Sequence, residues 1–141
     1  MKLSRVAQLI GVALLVMAAN ILFTVLYMVV YGHLINPGHE EQFYQDHVQI
    51  AAPYCSIIAG IPLMFLAGWW VAGWKAGSPV VRSALVVWVV YAVVDITILV
   101  ASGAIGKLAV IFVVSFLTKL AAVYFGAVVR RGAGNPNRGP A

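Results

Sequence analysis

Four apolar runs dominate the sequence, at residues 6–31, 50–74, 80–102 and 107–129. Each run exceeds the roughly 20 residues that a helix, rising about 1.5 Å per residue, needs to cross the hydrocarbon of a bilayer. Helices are favoured over strands because a helix pairs its own backbone polar groups in lipid. The pattern therefore predicts an all-α membrane protein, in which residues 1–131 form a single four-transmembrane-helix bundle.

The first run begins like a secretory signal. Lys2 and Arg5 precede apolar residues that reach the small pair Ala18-Ala19. The apolar residues then continue to Val30, which is too long for the apolar segment of a signal peptide. An uncleaved first transmembrane helix is the favoured interpretation.

Composition supports a membrane environment. Apolar residues make up 63% of the chain and charged residues 9%, whereas soluble domains average about 45–50% and about 25%. The formal net charge is +5, but Lys and Arg occur singly or in pairs between the apolar runs. Because no basic stripe of groove size results, we expect no nucleic-acid partner and take the lipid bilayer as the surrounding phase.

The positions of the basic residues predict the orientation. One side of the predicted bundle collects seven of them: Lys2, Arg5, Lys75, Arg82, Arg130, Arg131 and Arg138. The other side has only Lys107, and its first loop carries Glu40, Glu41 and Asp46 instead. Lys and Arg accumulate on the cytoplasmic side of bacterial inner membranes. Both termini are therefore expected in the cytoplasm, in a multi-pass bacterial inner-membrane protein.

The connections between the later runs are short. Lys75–Pro79 reads as a tight turn, with Ser78 as the cap and Pro79 as the first residue of the next helix. Ser102–Gly106 reads as a second tight turn. Short connections make the joined helices antiparallel neighbours. Residues 132–141, rich in Gly, Pro and Asn, are expected to form a flexible cytoplasmic tail.

The first loop contains every histidine of the chain, His33, His39 and His47. Histidines beside carboxylates are candidate ligands for zinc or copper, but ligands on one helix need spacings of three or four residues rather than six and eight. An ordinary solvated loop is favoured, and a metal site or a pH-responsive or partner-binding loop are the alternatives. Residues 40–49 are expected to form a short interfacial helix. No cofactor is predicted, because no histidine lies within a span to hold a haem.

Two charged residues fall inside the predicted spans, Asp95 in the third and Lys119 in the fourth. Each charge alone would cost about 2.5–3.5 kcal/mol at the bilayer centre. Helical Cα–Cβ bonds tilt toward the amino terminus, so the two side chains lean toward each other from helices that run in opposite directions. We therefore expect an Asp95–Lys119 ion pair.

Further polar residues are expected to join this pair in an intramembrane cluster: Asn20, Thr24, Tyr91 and Ser115. Such residues normally face a bundle interior or a cavity. A hydrogen-bonded staple between helices is the favoured interpretation, and a protonatable site in an ion or solute path is the alternative.

Small residues in the second and fourth runs predict close helix packing. They are Ala52, Ser56, Ala59, Gly68 and Ala72 in the second run, and Ala122 and Gly126 in the fourth. Pro62 is expected to kink the second helix. The single cysteine, Cys55, is interpreted as a packing residue, with an intermolecular bridge as the alternative.

The sequence contains no phosphate-binding loop, nucleophile elbow or zinc-protease motif, so a non-enzymatic role is expected. The favoured function is an accessory, assembly or structural subunit that acts in a homo-oligomer or a larger membrane complex. The alternative is a small proton- or cation-coupled transporter or channel that uses Asp95 and Lys119. Chain length and helix number are similar to those of small multidrug-resistance exporters, but the first helix carries Asn20 and lacks their intramembrane glutamate. No family is assigned.

Overall fold

Four long helices make up nearly all of the described chain. A computed structural model describes residues 2–74, 80–103 and 105–134. The helices are α1 (Leu3–Val30), α2 (Glu41–Ala72), α3 (Val80–Ser102) and α4 (Ile105–Ala133), and a short π-helical segment, Tyr31–Ile35, extends α1. The described ranges contain no strand.

All four helices are long and apolar enough to span a membrane. Many of their large apolar side chains point away from the bundle; Leu22, Ile58, Val93 and Leu117 are each about half exposed or more. Such a surface is stable in lipid and costly in water. The prediction of a multi-pass, all-helical membrane protein with four spanning helices is confirmed.

Helix α2 is longer than its apolar run. It begins at Glu41, so the expected separate interfacial helix at residues 40–49 is the first part of α2. Glu40 has extended backbone angles at the N-cap, and a carboxylate at Glu41 favours the start of a helix. Gln42 donates to Asp46 and Gln45 donates to Glu41, each one turn apart. These polar contacts continue the helix beyond the apolar residues.

Two expected features fall partly or wholly outside the described residues. The cap formed by Ser78 and Pro79 lies in the segment 75–79, and most of the expected tail lies beyond residue 134. At the start of that tail, Gly132 and Ala133 are still part of α4.

The most extensive contact between helices joins α2 and α4. A Cβ atom added at Gly68 would collide with the backbone carbonyl of Val123, and one at Gly126 would collide with the carbonyl of Phe65. The two glycines therefore allow the backbones to touch. Gly73, directly after the end of α2, approaches the side chain of Arg130, further along α4. Earlier in both helices, Gly60 approaches Lys119. Because the contacts run from Gly60 with Lys119 to Gly73 with Arg130, α2 and α4 run in the same direction.

The apolar core occupies one half of the bundle. It is made of buried residues from all four helices: Leu9, Val12, Val16, Met17, Met64, Val71, Val87, Val123 and Ala127. These belong to the first half of α1 and α3 and to the second half of α2 and α4. Tyr91 lies in the same core cluster and is the first residue of the candidate site described next.

Candidate functional site

Lys119 is completely buried, with 0% of its side chain exposed. Its Nζ donates hydrogen bonds to Ser56 Oγ at 2.7 Å and to Tyr91 Oη at 3.0 Å. The same nitrogen lies 4.7 Å from the centre of the Tyr91 ring, within range of a cation–π contact. An ammonium group has three hydrogens to donate, so two hydroxyls leave one hydrogen for another acceptor.

Asp95 supplies the opposite charge. Its Oδ2 lies 3.8 Å from Lys119 Nζ, and 16% of its side chain is exposed. This distance is within ion-pair range but too long for a direct hydrogen bond. The structure thus brings together the two intramembrane charges, on α3 and α4. The carboxylate balances the ammonium, while the hydroxyls of Ser56 and Tyr91 accept its hydrogen bonds.

Asn20 completes the group from α1. Its side chain is buried, and Nδ2 donates to Tyr91 Oη at 2.6 Å and to Ser56 Oγ at 3.2 Å. We call Asn20, Ser56, Tyr91, Asp95 and Lys119 the polar centre. Each of the four helices contributes at least one member, and the hydroxyls of Ser56 and Tyr91 each contact both Asn20 and Lys119.

The other two residues expected in the cluster are less closely connected. Thr24 Oγ1 donates to the backbone carbonyl of Asn20 at 3.3 Å, so Thr24 supports the helix beside the polar centre. Ser115 is buried, and its Oγ has no hydrogen-bond partner in the described part of the chain. The structure therefore places Ser115 in the interior of the bundle without a bond to the polar centre.

Two residues that contact Lys119 were not predicted from the sequence as members of the cluster. The sequence pattern indicates only a small packing residue at Ser56, yet its hydroxyl bonds both Asn20 and Lys119. Gly60, one turn further along α2, faces the Lys119 side chain, where an added Cβ would collide with Cε. The spacing of four residues on one helix face was the available signal. Ser56 binds the head of Lys119 and Gly60 leaves room for its stem.

A cavity of about 330 Å³ lies beside the polar centre, lined mainly by residues of α1, α2 and α3. Asn20, Ser56, Tyr91 and Asp95 line it at one end. Its walls are mainly apolar and include Met17, Ile21, Val25, Ile98, Leu99 and Phe112. The cavity continues to Gln49 and Ser102, and we call this end of the bundle the Ser102 end. The cavity thus occupies the half of the bundle that the apolar core leaves open.

His47 is part of an aromatic stack at the Ser102 end. Its ring is parallel to that of Tyr31, with centroids 3.8 Å apart, and its Nε2 is 3.2 Å from Tyr27 Oη. The stack joins the end of α1, through Tyr31, to the start of α2. His47 is therefore a packing and hydrogen-bonding residue in this structure.

The other two histidines contact separate partners. His33 Nδ1 is 2.9 Å from the backbone carbonyl of Val29, and His39 Nε2 is 2.9 Å from Asn36 Oδ1. Within the residues that the structure describes, no three His, Cys, Asp or Glu side chains are grouped so that they could hold a metal ion. The structure does not bring the three candidate ligands together.

The polar centre combines a balanced charge pair with neutral hydrogen-bonding groups. Such a group can join helices, because breaking it would strand an ammonium ion away from water. Two of its acceptor atoms, Asn20 Oδ1 and Asp95 Oδ2, are buried and have no hydrogen bond within the described residues.

The chain matches no protein-family model, no curated protein and no solved structure. The polar centre and its cavity are therefore the basis for inferring function.

Proposed function

We propose that this is a small, non-enzymatic protein of the bacterial inner membrane that acts as an accessory, assembly or structural subunit, in a homo-oligomer or beside larger membrane proteins. The observation that carries the proposal is the complete burial of Lys119. Its bonds to Ser56 and Tyr91 and its pairing with Asp95 are internal to the chain. An ammonium held in this way stabilises the bundle and is not offered to a substrate.

The proposal includes an orientation, with both termini in the cytoplasm and helices adjacent in sequence packed antiparallel. The bias of Lys and Arg toward one side supports the orientation. Two contacts support antiparallel packing of α1 and α2: Asn20 bonds Ser56, while Tyr27, later in α1, contacts His47, earlier in α2. In this orientation the Ser102 end of the bundle faces the periplasm.

Native mass spectrometry of the protein extracted gently from its own membranes tests the accessory role. The expected result is a stable homo-oligomer or a stoichiometric complex with a larger membrane protein. An unrelated four-span protein, extracted in the same way with the same tag, controls for assemblies induced by detergent. Recovery of the monomer alone would contradict the proposal.

A second candidate function is proton- or cation-coupled transport, and the cavity is the observation that favours it. The cavity connects Asp95 with Gln49 and Ser102 near the end of the bundle, which gives the carboxylate a route toward solvent. A titratable group at the base of such a cavity is a plausible proton or cation site. In this function Asp95 would separate from Lys119 during each cycle.

An apolar carbodiimide, which modifies protonated carboxyl groups within membranes, distinguishes the two functions. The other three acidic side chains, at residues 40, 41 and 46, are exposed on the surface of the protein. A structural ion pair keeps Asp95 unmodified at neutral pH, whereas a transport site is modified and is protected by the transported cation. The Asp95→Asn variant identifies any labelling that occurs elsewhere.

A further inference from the structure

Arg130 is in the last turn of α4, at the end of the bundle opposite the Ser102 end. Arg131 follows it and adds a second positive charge. The acidic residues of the whole sequence are Glu40, Glu41, Asp46 and Asp95. The first three lie around the start of α2, at the Ser102 end, and Asp95 is paired with Lys119 within the bundle. The end that carries Arg130, which we call the Arg130 end, therefore has positive charge that no acidic side chain balances.

The guanidinium group of Arg130 is positioned by Trp69 on α2. Its Cζ lies over the indole, 4.4 Å from the ring centre, in a cation–π contact. This contact uses no N–H hydrogen, so it leaves the five donors of the guanidinium for an acceptor. Arg130 is partly exposed and forms no ion pair within the described residues. Gly73, directly after the end of α2, is exposed and has no side chain to cover Nε, which lies 3.2 Å from the position of an added Cβ.

An open apolar groove between α2 and α4 leads toward the Arg130 end. Its volume is about 660 Å³, and its walls include Pro62, Phe65, Leu66, Thr118, Ala121 and Phe125. Leu66 and Phe125 are each more than half exposed, so the groove faces the surrounding lipid. Trp69 follows Leu66 by three residues, which places the groove and the Trp69–Arg130 contact one after the other along the same two helices. Thr118 precedes Arg130 by about 18 Å of helix, and half of the hydrocarbon core measures about 15 Å. The groove and the contact together span about one leaflet.

Charge complementarity indicates the head group of a lipid in this groove. A phosphate diester accepts paired hydrogen bonds from a guanidinium, and its negative charge offsets the positive charge of the Arg130 end. A zwitterionic head would also bring its own cation beside Arg130 and Arg131, where no acidic side chain is present to receive it. A head with negative charge alone therefore matches this end of the bundle.

We propose that the Arg130 end binds one anionic phospholipid, with the phosphate at Arg130 and an acyl chain in the groove between Leu66 and Phe125. Phosphatidylglycerol has this chemistry. The binding is independent of the accessory role and of the orientation in the membrane, because it requires only the folded four-helix bundle.

Native mass spectrometry of the intact protein in detergent tests the proposal with two lipids. Dioleoylphosphatidylglycerol is anionic, and dioleoylphosphatidylethanolamine has the same chains with a zwitterionic head. One phosphatidylglycerol should bind per chain, at least about tenfold more tightly than phosphatidylethanolamine, the equivalent of about 1.4 kcal/mol. Inorganic phosphate at the same concentration should not displace it, because phosphate lacks the acyl chain. Equal affinity for the two lipids, or displacement by inorganic phosphate, would overturn the proposal.

Two matched variants test the position of the head group. Arg130→Gln and Arg131→Gln remove the same charge from the same turn of α4, but Arg130 lies over the Trp69 ring whereas Arg131 is exposed. Arg130→Gln should remove the preference for phosphatidylglycerol, and Arg131→Gln should keep most of it. Trp69→Leu removes the ring that positions Arg130 and provides a second test if circular dichroism shows that Arg130→Gln is poorly folded. Equal losses in Arg130→Gln and Arg131→Gln would show a general effect of charge and contradict the site.

A second matched pair tests the position of the acyl chain. Ala121 and Ala109 are both exposed on α4, but Ala121 lines the groove and Ala109 does not. Ala121→Leu fills the groove and should weaken phosphatidylglycerol binding about fivefold, the equivalent of about 1 kcal/mol. Ala109→Leu should leave the affinity unchanged. Unchanged binding by folded Ala121→Leu protein would contradict the placement of the chain in the groove.

Discussion

Neutralising Asp95 and Lys119 separately and together measures how strongly the polar centre holds the bundle. Opposite unit charges 3.8 Å apart attract by about 4 kcal/mol at an effective dielectric constant of about 20. Asp95→Asn removes this attraction from an ammonium that keeps only its bonds to Ser56 and Tyr91. Lys119→Met strands a carboxylate that has little exposure. Each single change should lower the free energy of unfolding by about 3–5 kcal/mol.

The double variant should be more stable than the sum of the two single effects predicts. We expect a difference of at least about 1 kcal/mol, because neither charge is then left alone. Unfolding of the purified variants in one detergent, followed by tryptophan fluorescence, provides the four free energies. Asp95→Asn combined with Leu117→Met is the matched control, since Leu117 is 59% exposed on α4 and its effect should simply add. Additive effects of Asp95→Asn and Lys119→Met would refute the coupling.

Three further predictions concern packing, orientation and the first loop. Gly126→Ala forces a Cβ against the carbonyl of Phe65 and should destabilise the bundle by about 1–3 kcal/mol in the same unfolding assay. Gly132→Ala is the control, because a Cβ at that position meets open space and should cause no such loss. Equal effects of the two changes would contradict the close α2–α4 contact. Reporter fusions after Arg131 and near Gly106 should give cytoplasmic and periplasmic signals respectively, and a periplasmic carboxyl terminus would contradict the proposed orientation. Replacing all three histidines with Gln should leave metal content unchanged, although loss of the His47 contacts with Tyr27 and Tyr31 should lower stability. Stoichiometric zinc or copper that is lost in this variant would contradict the expectation of a loop without metal.

The four spans were predictable because lipid imposes one strong requirement, a continuous apolar helix of sufficient length. That requirement does not determine where a helix ends in water. Helix α2 begins at Glu41 because hydrogen bonds between polar side chains one turn apart support its first turns. These polar residues precede the apolar run, so the run does not indicate where the helix begins. A prediction from the apolar run alone therefore divides one continuous helix into a loop helix and a span.

The polar centre was predictable only where a residue was anomalous in its surroundings. Asp95 and Lys119 are charged within apolar runs, and the direction of helical side chains was enough to expect that they converge. Ser56 and Gly60 resemble ordinary packing residues, because small side chains in membrane helices serve close packing far more often than they bind a lysine. Their roles depend on the register of α2 against α4, which is set by long-range packing.

The cavity was not predictable from any pattern of residues. Its walls include Ile21 and Val25 on α1 and Ile98 on α3, which are about half exposed, whereas Asn20 and Tyr91 on the same two helices are hydrogen-bonded. That geometry depends on the separation of α1 and α3 beyond this contact. A sequence of apolar residues specifies the membrane environment of such helices but not the distance between them.

Proton flux through reconstituted protein tests the central claim most directly, namely that the polar centre holds the helices together and does not conduct ions. Wild-type protein in liposomes, under an imposed pH gradient and membrane potential, should pass no more protons than protein carrying both Asp95→Asn and Lys119→Met. Circular dichroism and size-exclusion chromatography establish that both preparations are folded. A wild-type flux that the folded double variant abolishes would contradict the structural role and identify Asp95 and Lys119 as a transport site.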